Sequence, residues 1–371
     1  MTKPRFTPLS QTLPATVPFV GPETQERTRG AAFVARLGAN ESVFGPSPRA
    51  IAAMEEAASE AWMYGDPELH ELRMALALHH GVGIENVVVG EGIDGLLGYL
   101  VRLLIDQGSH VVTSDGAYPT FNYHVAGFGG VLQKVPYAGD HEDPEALIAK
   151  AHEVDAKLLY FANPDNPMGS WHDAATVQRM IDALPEGCVL ALDEAYADTA
   201  PPEAIPEMDI THPRVIRFRT FSKAYGLAGM RVGYALAEAE FITAFGKIRN
   251  HFGMGRVSQA AALAALKDQS YLEKTVASIA AAREGIARIA EDNGLTPLPS
   301  ATNFVTIDCG ADGDFARAVL QQLVSRGVFV RMPFTAPQDR CIRVSCGRAA
   351  ELEALAAALP LALDAARQKG L

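Results

Sequence analysis

Residues 217–236 read RFRTFSKAYGLAGMRVGYAL and concentrate reactive groups around one lysine, Lys223. Two small hydroxyl residues, Thr220 and Ser222, stand just before this lysine, and Arg231 follows it. The hydroxyls and the guanidinium could hold a phosphate, while a buried lysine beside other cations loses its proton and becomes a nucleophile. A lone lysine is by default a surface or structural residue. With these neighbours, the stretch predicts a site for a ligand that carries both a phosphate and a carbonyl group.

Four further side chains supply groups that a flat aromatic ligand would need. Asp193 ends the apolar run VLAL, so its carboxylate should be desolvated and should need a cationic partner. That partner could be a pyridinium nitrogen or an arginine of the protein. Asn166 and Tyr196 are neutral donors suited to a phenolate oxygen, although a turn at NPDNP and core packing also explain them. Phe121 offers an aromatic face for a ring, or alternatively a core side chain.

A second candidate phosphate site lies where Gly92, Ile93 and Asp94 follow the apolar run VVV and open a predicted helix. Exposed backbone N–H groups at a helix start attract phosphate, whereas Asp94 could also act only as an N-cap. The combined needs are a reactive amine, a carboxylate for a ring nitrogen, donors for a ring oxygen, a stacking face and a phosphate site. These are the needs of pyridoxal phosphate, which we predict as the cofactor.

Short apolar runs alternate with helical patterns over much of the chain, which indicates an α/β fold with a mostly parallel sheet. The predicted strands are residues 87–90, 110–115, 131–137, 158–163, 189–194, 215–221 and 232–237. The last strand should pair antiparallel, because little chain is left for a crossover. Ligands bind beyond the carboxyl ends of strands in open α/β sheets, and five clusters of candidate residues follow such ends. We therefore expect them to converge on one crevice.

The chain divides into two predicted domains. Residues 36–250 form a large cofactor-binding domain with a seven-stranded sheet, and residues 1–35 and 251–371 form an N-terminal arm and a small α+β domain. The first 35 residues are predicted to be extended, and a long helical region is predicted over about residues 256–293. The segments TNFVTIDC, GVFVRMP and CIRVSCG are the predicted strands of the small domain.

Composition excludes several classes of partner. The 371 residues carry 32 basic and 44 acidic side chains, a net charge of −12, which argues against nucleic acid or an anionic membrane. No apolar run is long enough to span a bilayer, and the N-terminus shows no secretory signal. The four cysteines form no CxxC pair, so neither a metal site nor a disulfide framework is expected. We predict a cytoplasmic location.

The order and spacing of ten motifs resemble a known family. The motifs are GANESVFGPSP (38–48), YGDPELHELRMALA (64–77), GEGIDGLL (90–97), AYPTFNYH (117–124), NPDNPMGSW (163–171), LDEAYAD (192–198), RTFSKAYGLAGMRVGY (219–234), ATNFV (301–305), GVFVR (327–331) and CIRVSCG (341–347). The chain resembles the fold-type I, class I/II pyridoxal-phosphate aminotransferases, and most of all their histidinol-phosphate aminotransferase branch.

The resemblance implies a role for each matching residue. Lys223 would be the Schiff-base lysine and proton shuttle, and Asp193 would pair with the pyridine nitrogen. Asn166 and Tyr196 would bind the ring oxygen, and Phe121 would stack on the ring. The phosphate would be held by Ile93 and Asp94 (through backbone N–H groups), Thr220, Ser222 and Arg231.

The family also implies a homodimer, in which Tyr64 would reach the phosphate in the neighbouring subunit. Arg343 would bind the substrate carboxylate, with Asn40 nearby and Arg331 as a second anion-binding candidate. The implied reaction moves an amino group between an amino acid or histidinol phosphate and a 2-oxo acid such as 2-oxoglutarate. A decarboxylase of the threonine-phosphate type is the alternative, because it shares the fold and most of these motifs. A non-catalytic regulator is disfavoured by the acidic composition.

Three positions depart from the family pattern. Ile93 stands where a small hydroxyl residue is usual, so one phosphate contact must come from backbone alone. Phe19, in VPFVGPE, stands where members that act on histidinol phosphate usually have a tyrosine. Arg256, in HFGMGRVSQ, replaces asparagines that are common in that loop. These departures leave the predicted cofactor unchanged and bear on the choice of substrate.

Overall fold

The strands whose residues are buried on both faces form the centre of the fold. The structure is a computed structural model that describes residues 4–15 and 20–368. Its strands are β1 (Ala35–Arg36), β2 (Val87–Gly90), β3 (His110–Ser114), β4 (Val131–Val135), β5 (Leu158–Ala162), β6 (Val189–Asp193), β7 (Val215–Thr220), β8 (Gly233–Leu236), β9 (Thr296–Pro297), β10 (Phe304–Asp308), β11 (Val328–Phe329) and β12 (Cys341–Ser345). Every residue of β5 and β6 is buried, as their apolar sequences predict.

Thirteen α-helices surround the sheets within the described residues. They are α1 (Pro8–Thr12), α2 (Pro22–Arg29), α3 (Pro48–Ala58), α4 (His70–His80), α5 (Gly92–Leu104), α6 (Pro119–Gly127), α7 (Pro144–Glu153), α8 (Ala174–Asp182), α9 (Ala239–Gly246), α10 (Arg256–Leu266), α11 (Gln269–Asp292), α12 (Gly313–Ser325) and α13 (Ala349–Arg367). Residues of α5, α6 and α9 share a hydrophobic core with one face of the large sheet. Residues of α7 and α8 share a core with the other face.

The large sheet has seven strands in the order β2-β8-β7-β6-β5-β3-β4. Strand β8 runs antiparallel to both of its neighbours, and the other pairings are parallel, which confirms the predicted sheet. In the register of β5, β6 and β7, Ala162 lies opposite Asp193, and Asp193 lies opposite Phe218. The ends of β5 and β6 are therefore level, and β7 continues two residues further to Thr220, so the polar segments that follow all three strands start at one edge.

The smaller sheet has the order β12-β10-β9 and packs with α11, α12 and α13 around a second core. The segment GVFVRMP, also predicted to be a strand, does not belong to this sheet. Only Val328 and Phe329 pair as a strand, and they pair parallel with β1. Beyond them Arg331 and Arg343 exchange backbone hydrogen bonds of 3.2 and 2.7 Å, which ties this segment to β12 at one point.

Of two other local predictions, the extended arm is corrected and the helical region is confirmed with one interruption. The predicted arm contains α1 and α2, and each has proline in its first turn, where the missing N–H costs nothing. Helix α2 ends at Gly30, whose φ of 71° is the left-handed conformation that glycine adopts readily. The helical region predicted over 256–293 is two helices, because the chain leaves helical geometry at Asp268. The domain boundary at residue 250 stays a prediction.

Candidate active site

A cavity of about 320 Å³ opens at the carboxyl ends of the large sheet's strands. The side chains that line it follow five strand ends, as the sequence predicted. The predicted site residues among them are Ile93, Asp94, Asn166, Asp193, Tyr196, Thr220, Ser222, Lys223 and Arg231. One cavity therefore holds a lysine, a carboxylate, neutral donors and a guanidinium.

Lys223 lies in the turn after β7, and its amine points into this cavity. Its Nζ donates a hydrogen bond of 3.2 Å to the backbone carbonyl of Asn40 and lies 5.6 Å from the ring centre of Tyr196. Burial lowers the pKa of Lys223 to about 8, and the nearby Arg343 and Arg231 act in the same direction. This amine therefore loses its proton more readily than an exposed lysine, and its unprotonated form is the nucleophile.

Asp193 is the last residue of β6 and is 5% exposed. Its Oδ2 accepts a hydrogen bond of 2.6 Å from the Tyr160 hydroxyl, and its Oδ1 accepts one of 2.9 Å from the Ala195 N–H. Burial raises the pKa of Asp193, and these hydrogen bonds and the charge of Lys223 oppose the rise. Within residues 4–15 and 20–368 no side chain forms an ion pair with Asp193. A cation in the cavity would supply the missing partner.

Two neutral side chains beside Lys223 keep a hydrogen-bond donor free within the described residues. The Tyr196 hydroxyl accepts a hydrogen bond of 3.1 Å from Asn40 Nδ2, so its own proton can be donated elsewhere. Asn166 accepts from Arg343 Nη1 through Oδ1, which leaves its NH₂ group available. Both groups suit an anionic oxygen on a bound ring.

The phosphate end of the cavity is made by two segments. Thr220 Oγ1 donates to Ser222 Oγ at 2.9 Å, and Arg231 Nη1 reaches the same oxygen at 3.5 Å. Helix α5 begins here without a side-chain cap, so its first backbone N–H groups remain available. Gly92 has a φ of 77°, and a Cβ there would lie 2.5 Å from Arg231 Nη2. Glycine is therefore needed to bring the helix start against the guanidinium.

The side chain of Asp94 is not the N-cap of α5. Its Oδ1 lies 2.8 Å from His124 Nε2, and the N-cap position belongs to Glu91. Ile93 is 7% exposed and packs into the core, so its side chain makes no polar contact. Both residues can contribute through backbone N–H groups, as the resemblance implied.

The predicted stacking residue, Phe121, lies outside the cavity, and this prediction is corrected. Phe121 is fully buried and stacks on Tyr160, with ring centres 4.7 Å apart. Tyr118 lines the cavity in its place. The helix α6 begins at Pro119 and turns Phe121 toward the core, while Tyr118 stays at the strand end. The sequence signal was ambiguous because AYPTF contains two aromatic residues.

Two of the predicted substrate residues, Arg343 and Asn40, contact side chains that line the cavity. Arg343 Nη2 donates to the Gly38 carbonyl at 3.2 Å, and its buried Nε has no partner among the described residues. Burial lowers the pKa of Arg343 to about 10. Asn40, at a φ of 55°, is buried and held by Ser345 and Tyr196.

Arg331, Tyr64 and Arg256 do not line the cavity of this chain. Arg331 Nη2 donates to the Val20 carbonyl at 2.7 Å. Tyr64 is 79% exposed, and Arg256 forms an ion pair with Glu60 at 3.2 Å. Phe19 lies outside the described residues.

A buried ion-pair network behind the cavity was missed by the sequence reasoning. Glu194, directly after Asp193, accepts hydrogen bonds from Arg217 at 2.5 and 3.0 Å and from Arg219 at 2.9 Å. The alternation of Arg217 and Arg219 along β7 is the signal that could have revealed it, because both point to one face of the sheet.

The comparison with known proteins agrees with this geometry. Residues 34–359 match the family model described as aminotransferase class I and II. The chain therefore belongs to the class I and II aminotransferase family. An aspartate aminotransferase variant from Thermus thermophilus shares the fold at a TM-score of 0.80 and 21% identity, over 96% of this chain and 100% of that one.

Two relatives with higher sequence identity are both histidinol-phosphate aminotransferases. The chain is 35% identical over 347 residues to a histidinol-phosphate aminotransferase of Anaeromyxobacter sp. (strain Fw109-5), over 92% of this chain and 94% of that protein. It is 55% identical, with a TM-score of 0.95 over 98% of both chains, to the histidinol-phosphate aminotransferase from Sinorhizobium meliloti, solved in complex with pyridoxal-5'-phosphate. The predicted branch of the family is confirmed.

No helix among the described residues combines the length and apolar character needed to cross a membrane. Nor do the histidine, cysteine, aspartate and glutamate side chains of residues 4–15 and 20–368 form a cluster that could hold a metal ion.

Proposed function

We propose that this chain is a pyridoxal-phosphate-dependent aminotransferase that exchanges an amino group between histidinol phosphate and a 2-oxo acid such as 2-oxoglutarate. The observation that carries the proposal is one cavity that contains both Lys223, an amine whose pKa burial lowers to about 8, and Asp193, a buried carboxylate. The names of the relatives support the choice of cofactor and substrate.

The residues of the cavity fit this cofactor. When bound, pyridoxal phosphate supplies an aldehyde that condenses with amines and a ring that withdraws electrons from the substrate. Lys223 suits the aldehyde, Asp193 suits a protonated ring nitrogen, and Tyr118 is the aromatic residue for the ring face. The phosphate would be held by Thr220, Ser222, Arg231 and the N–H groups of Ile93 and Asp94.

The chain's own groups then divide the work of proton transfer. Lys223 is positioned to take the proton from the substrate Cα and deliver it, because its amine is partly unprotonated near neutral pH. Asp193, as a carboxylate, would keep the ring nitrogen protonated. Tyr196 and Asn166 would donate to the ring oxygen. The Tyr196 hydroxyl accepts from Asn40 and keeps its own proton for donation, and Asn166 accepts through Oδ1 and keeps its NH₂ group.

Arg343 is the proposed anchor for the anionic end of the substrate. It would bind the phosphate of histidinol phosphate in one half-reaction and the carboxylate of the amino acid in the other. Its unpartnered Nε and the burial of its guanidinium support this role, because a buried cation without an acidic partner favours an anion. Arg331, whose backbone pairs with that of Arg343, is the second anion-binding candidate. Asn40, whose Nδ2 donates to the Tyr196 hydroxyl, would lie near the substrate.

We further propose a homodimer in which Tyr64 reaches the phosphate in the neighbouring subunit. Tyr64 and Trp62 are 79% and 82% exposed, and Phe252 packs against Tyr64 with ring centres 5.0 Å apart. An exposed aromatic cluster of this kind favours a protein interface. Light scattering should give twice the chain mass. In the dimer, Tyr64→Phe should weaken cofactor binding, and a monomeric active enzyme would contradict the proposal. The cytoplasmic location stays a prediction.

The function is tested by mixing the cofactor-loaded protein with single amino compounds and recording the cofactor spectrum. Histidinol phosphate should convert the cofactor to its aminated form, and 2-oxoglutarate should restore the starting spectrum. Conversion by glutamate but not by histidinol phosphate would reject the proposed substrate. Release of carbon dioxide from phosphothreonine, with the cofactor unchanged after turnover, would favour the decarboxylase alternative.

A further inference from the structure

The side chain of Tyr160, in strand β5, reaches Asp193 at the end of the neighbouring strand β6. It lies in β5 two residues before Ala162, which pairs with Asp193 of β6. Tyr160 and Asp193 therefore point to the same face of the sheet, and the length of the tyrosine spans the diagonal between them. The result is the hydrogen bond of 2.6 Å from the Tyr160 hydroxyl to Asp193 Oδ2.

The ring of Tyr160 is itself held in place. Phe121 stacks on it with ring centres 4.7 Å apart and an angle of 20° between the planes, and both side chains are fully buried. A stacked pair inside a close-packed core leaves the tyrosine few alternative orientations. The hydroxyl therefore keeps a fixed direction toward the carboxylate.

We propose that Tyr160 is a positioning residue for Asp193: its hydroxyl fixes the orientation of the carboxylate and favours its ionised form, and Phe121 holds the Tyr160 ring. The inference rests on the proposed function, because the charge on Asp193 matters for catalysis through the cofactor's ring nitrogen. It also gives Phe121, which does not line the cavity, an indirect role in the site.

The environment of Asp193 explains why this hydrogen bond matters. Burial raises the pKa of Asp193, and Glu194 raises it further, whereas Tyr160, the Ala195 N–H and Lys223 lower it. Among the described residues, Tyr160 and Ala195 are the only hydrogen-bond donors to this carboxylate. Loss of one of two donors should move the pKa of Asp193 upward, because a hydrogen bond to the charged form stabilises that form.

Carbon-13 NMR of the apoprotein, labelled at the aspartate carboxyl carbons, tests the contact without the cofactor. Tyr160→Phe should raise the pH at which the Asp193 resonance titrates. Tyr137→Phe is the matched control, because Tyr137 is a buried tyrosine that donates to a different carboxylate, Asp165, at 3.0 Å. The control should leave the Asp193 titration unchanged. An unchanged Asp193 titration in folded Tyr160→Phe protein would overturn the proposal.

Kinetics of the cofactor-loaded enzyme supply the second readout. In Tyr160→Phe we expect kcat to fall about tenfold, the KM for histidinol phosphate to change little, and the acidic limb of the kcat profile to move to higher pH. An unmoved limb would contradict the proposal. If the wild-type enzyme does not turn over histidinol phosphate, the proposed function is contradicted instead. The NMR titration then decides whether Tyr160 stabilises the Asp193 carboxylate.

Phe121→Leu keeps the Tyr160 hydroxyl and provides a test if Tyr160→Phe does not fold. As a single substitution, Phe121→Leu should raise the pH at which the Asp193 carboxyl titrates. Where the double variant can be prepared, Asp193 should titrate at the same pH as in Tyr160→Phe alone, because the hydroxyl through which Phe121 acts is then absent. An unaltered titration in the single Phe121→Leu variant would remove Phe121 from the proposal, and an equal shift in both backgrounds would show that Phe121 acts on Asp193 by another route.

Discussion

Asp193 and Glu194 are adjacent carboxylates at the end of one strand, and their surroundings are opposite. Glu194 is 1% exposed and is held by the guanidiniums of Arg217 and Arg219. Although burial raises its pKa, the two positive charges outweigh burial and hold the pKa below its usual range. Asp193 is also buried, but among the described residues it has hydrogen-bond partners and no ion-pair partner, and its pKa is raised.

The difference distinguishes a structural carboxylate from one kept for a ligand. A buried charge needs compensation, and the protein supplies it fully for Glu194. For Asp193 it supplies only partial compensation, so a cationic ring nitrogen would complete the site. The same contrast separates Arg217 from Arg343, whose Nε is buried without a partner among the described residues. Incomplete pairing thus identifies the groups that would bind cofactor and substrate.

The largest expected effect comes from removing the reactive amine. Lys223→Ala should lose at least about 10³-fold in transamination rate, because both the nucleophile and the proton carrier are gone. The variant should still bind pyridoxal phosphate noncovalently, since Asp193 and the phosphate residues remain. Single-turnover kinetics measure the rate, and dialysis followed by absorbance measures binding. A rate near that of the wild type would show that another residue acts.

Asp193→Asn should reduce kcat by about 10²-fold, because the neutral amide cannot keep the ring nitrogen protonated. The stability of the apoprotein should not fall along with kcat. A carboxyl whose folded pKa is raised destabilises the fold once the pH exceeds its unfolded pKa, so its removal should leave the apoprotein at least as stable at neutral pH. Urea unfolding of the apoprotein checks this. A large loss of stability would mean that Asp193 is paired like Glu194.

Glu194→Gln should show the reverse pattern. Two buried guanidiniums lose their anionic partner and one of its two acceptor oxygens, and the free energy of unfolding should fall by about 3–5 kcal/mol. Because the folded pKa of Glu194 lies below its unfolded value of 4.5, its contribution is present above pH 4.5 and disappears as the pH falls through the folded pKa. The variant and the wild type should therefore converge in stability at low pH. Equal stability at pH 7 would contradict the structural role.

The smallest expected effect is on the titration of Lys223. Arg343→Gln removes a positive charge that lowers the pKa of Lys223, so that pKa should rise above about 8. The rate at which the apoprotein attaches pyridoxal phosphate reports on the unprotonated amine. Its pH profile should shift to higher pH in the variant, and Arg348→Gln, an exposed change, serves as the control. An unshifted profile would show that the charge of Arg343 does not lower the pKa of Lys223.

The sequence predicted the site better than it predicted the side chains behind it. Apolar strands ending in Asp193 and Thr220 are local patterns, and the rule for strand ends in α/β sheets brings them together. The orientation of Phe121 depends on where α6 begins, and the pairing of Glu194 depends on a register between two strands. Both are tertiary facts, so the choice between Phe121 and Tyr118 could not be made from AYPTF alone.

The pairing of β11 with β1 could not be predicted from the sequence for a similar reason. GVFVRMP has the composition of a strand, but its partner lies far away in the sequence, at the end of a segment predicted to be an extended arm. Local propensity says nothing about which distant segment a strand will choose. The sequence does not predict the helices in the first 35 residues, because proline and threonine are common in extended chain and also begin helices.

The most direct test of the account is to locate the covalent bond to the cofactor. The protein loaded with pyridoxal phosphate is reduced with borohydride, digested and analysed by mass spectrometry. The account predicts that the reduced cofactor is found on Lys223, and that Lys223→Ala yields no modified peptide. Modification of a different lysine, or none in protein that binds the cofactor, would contradict the central claim that this cavity is the active site.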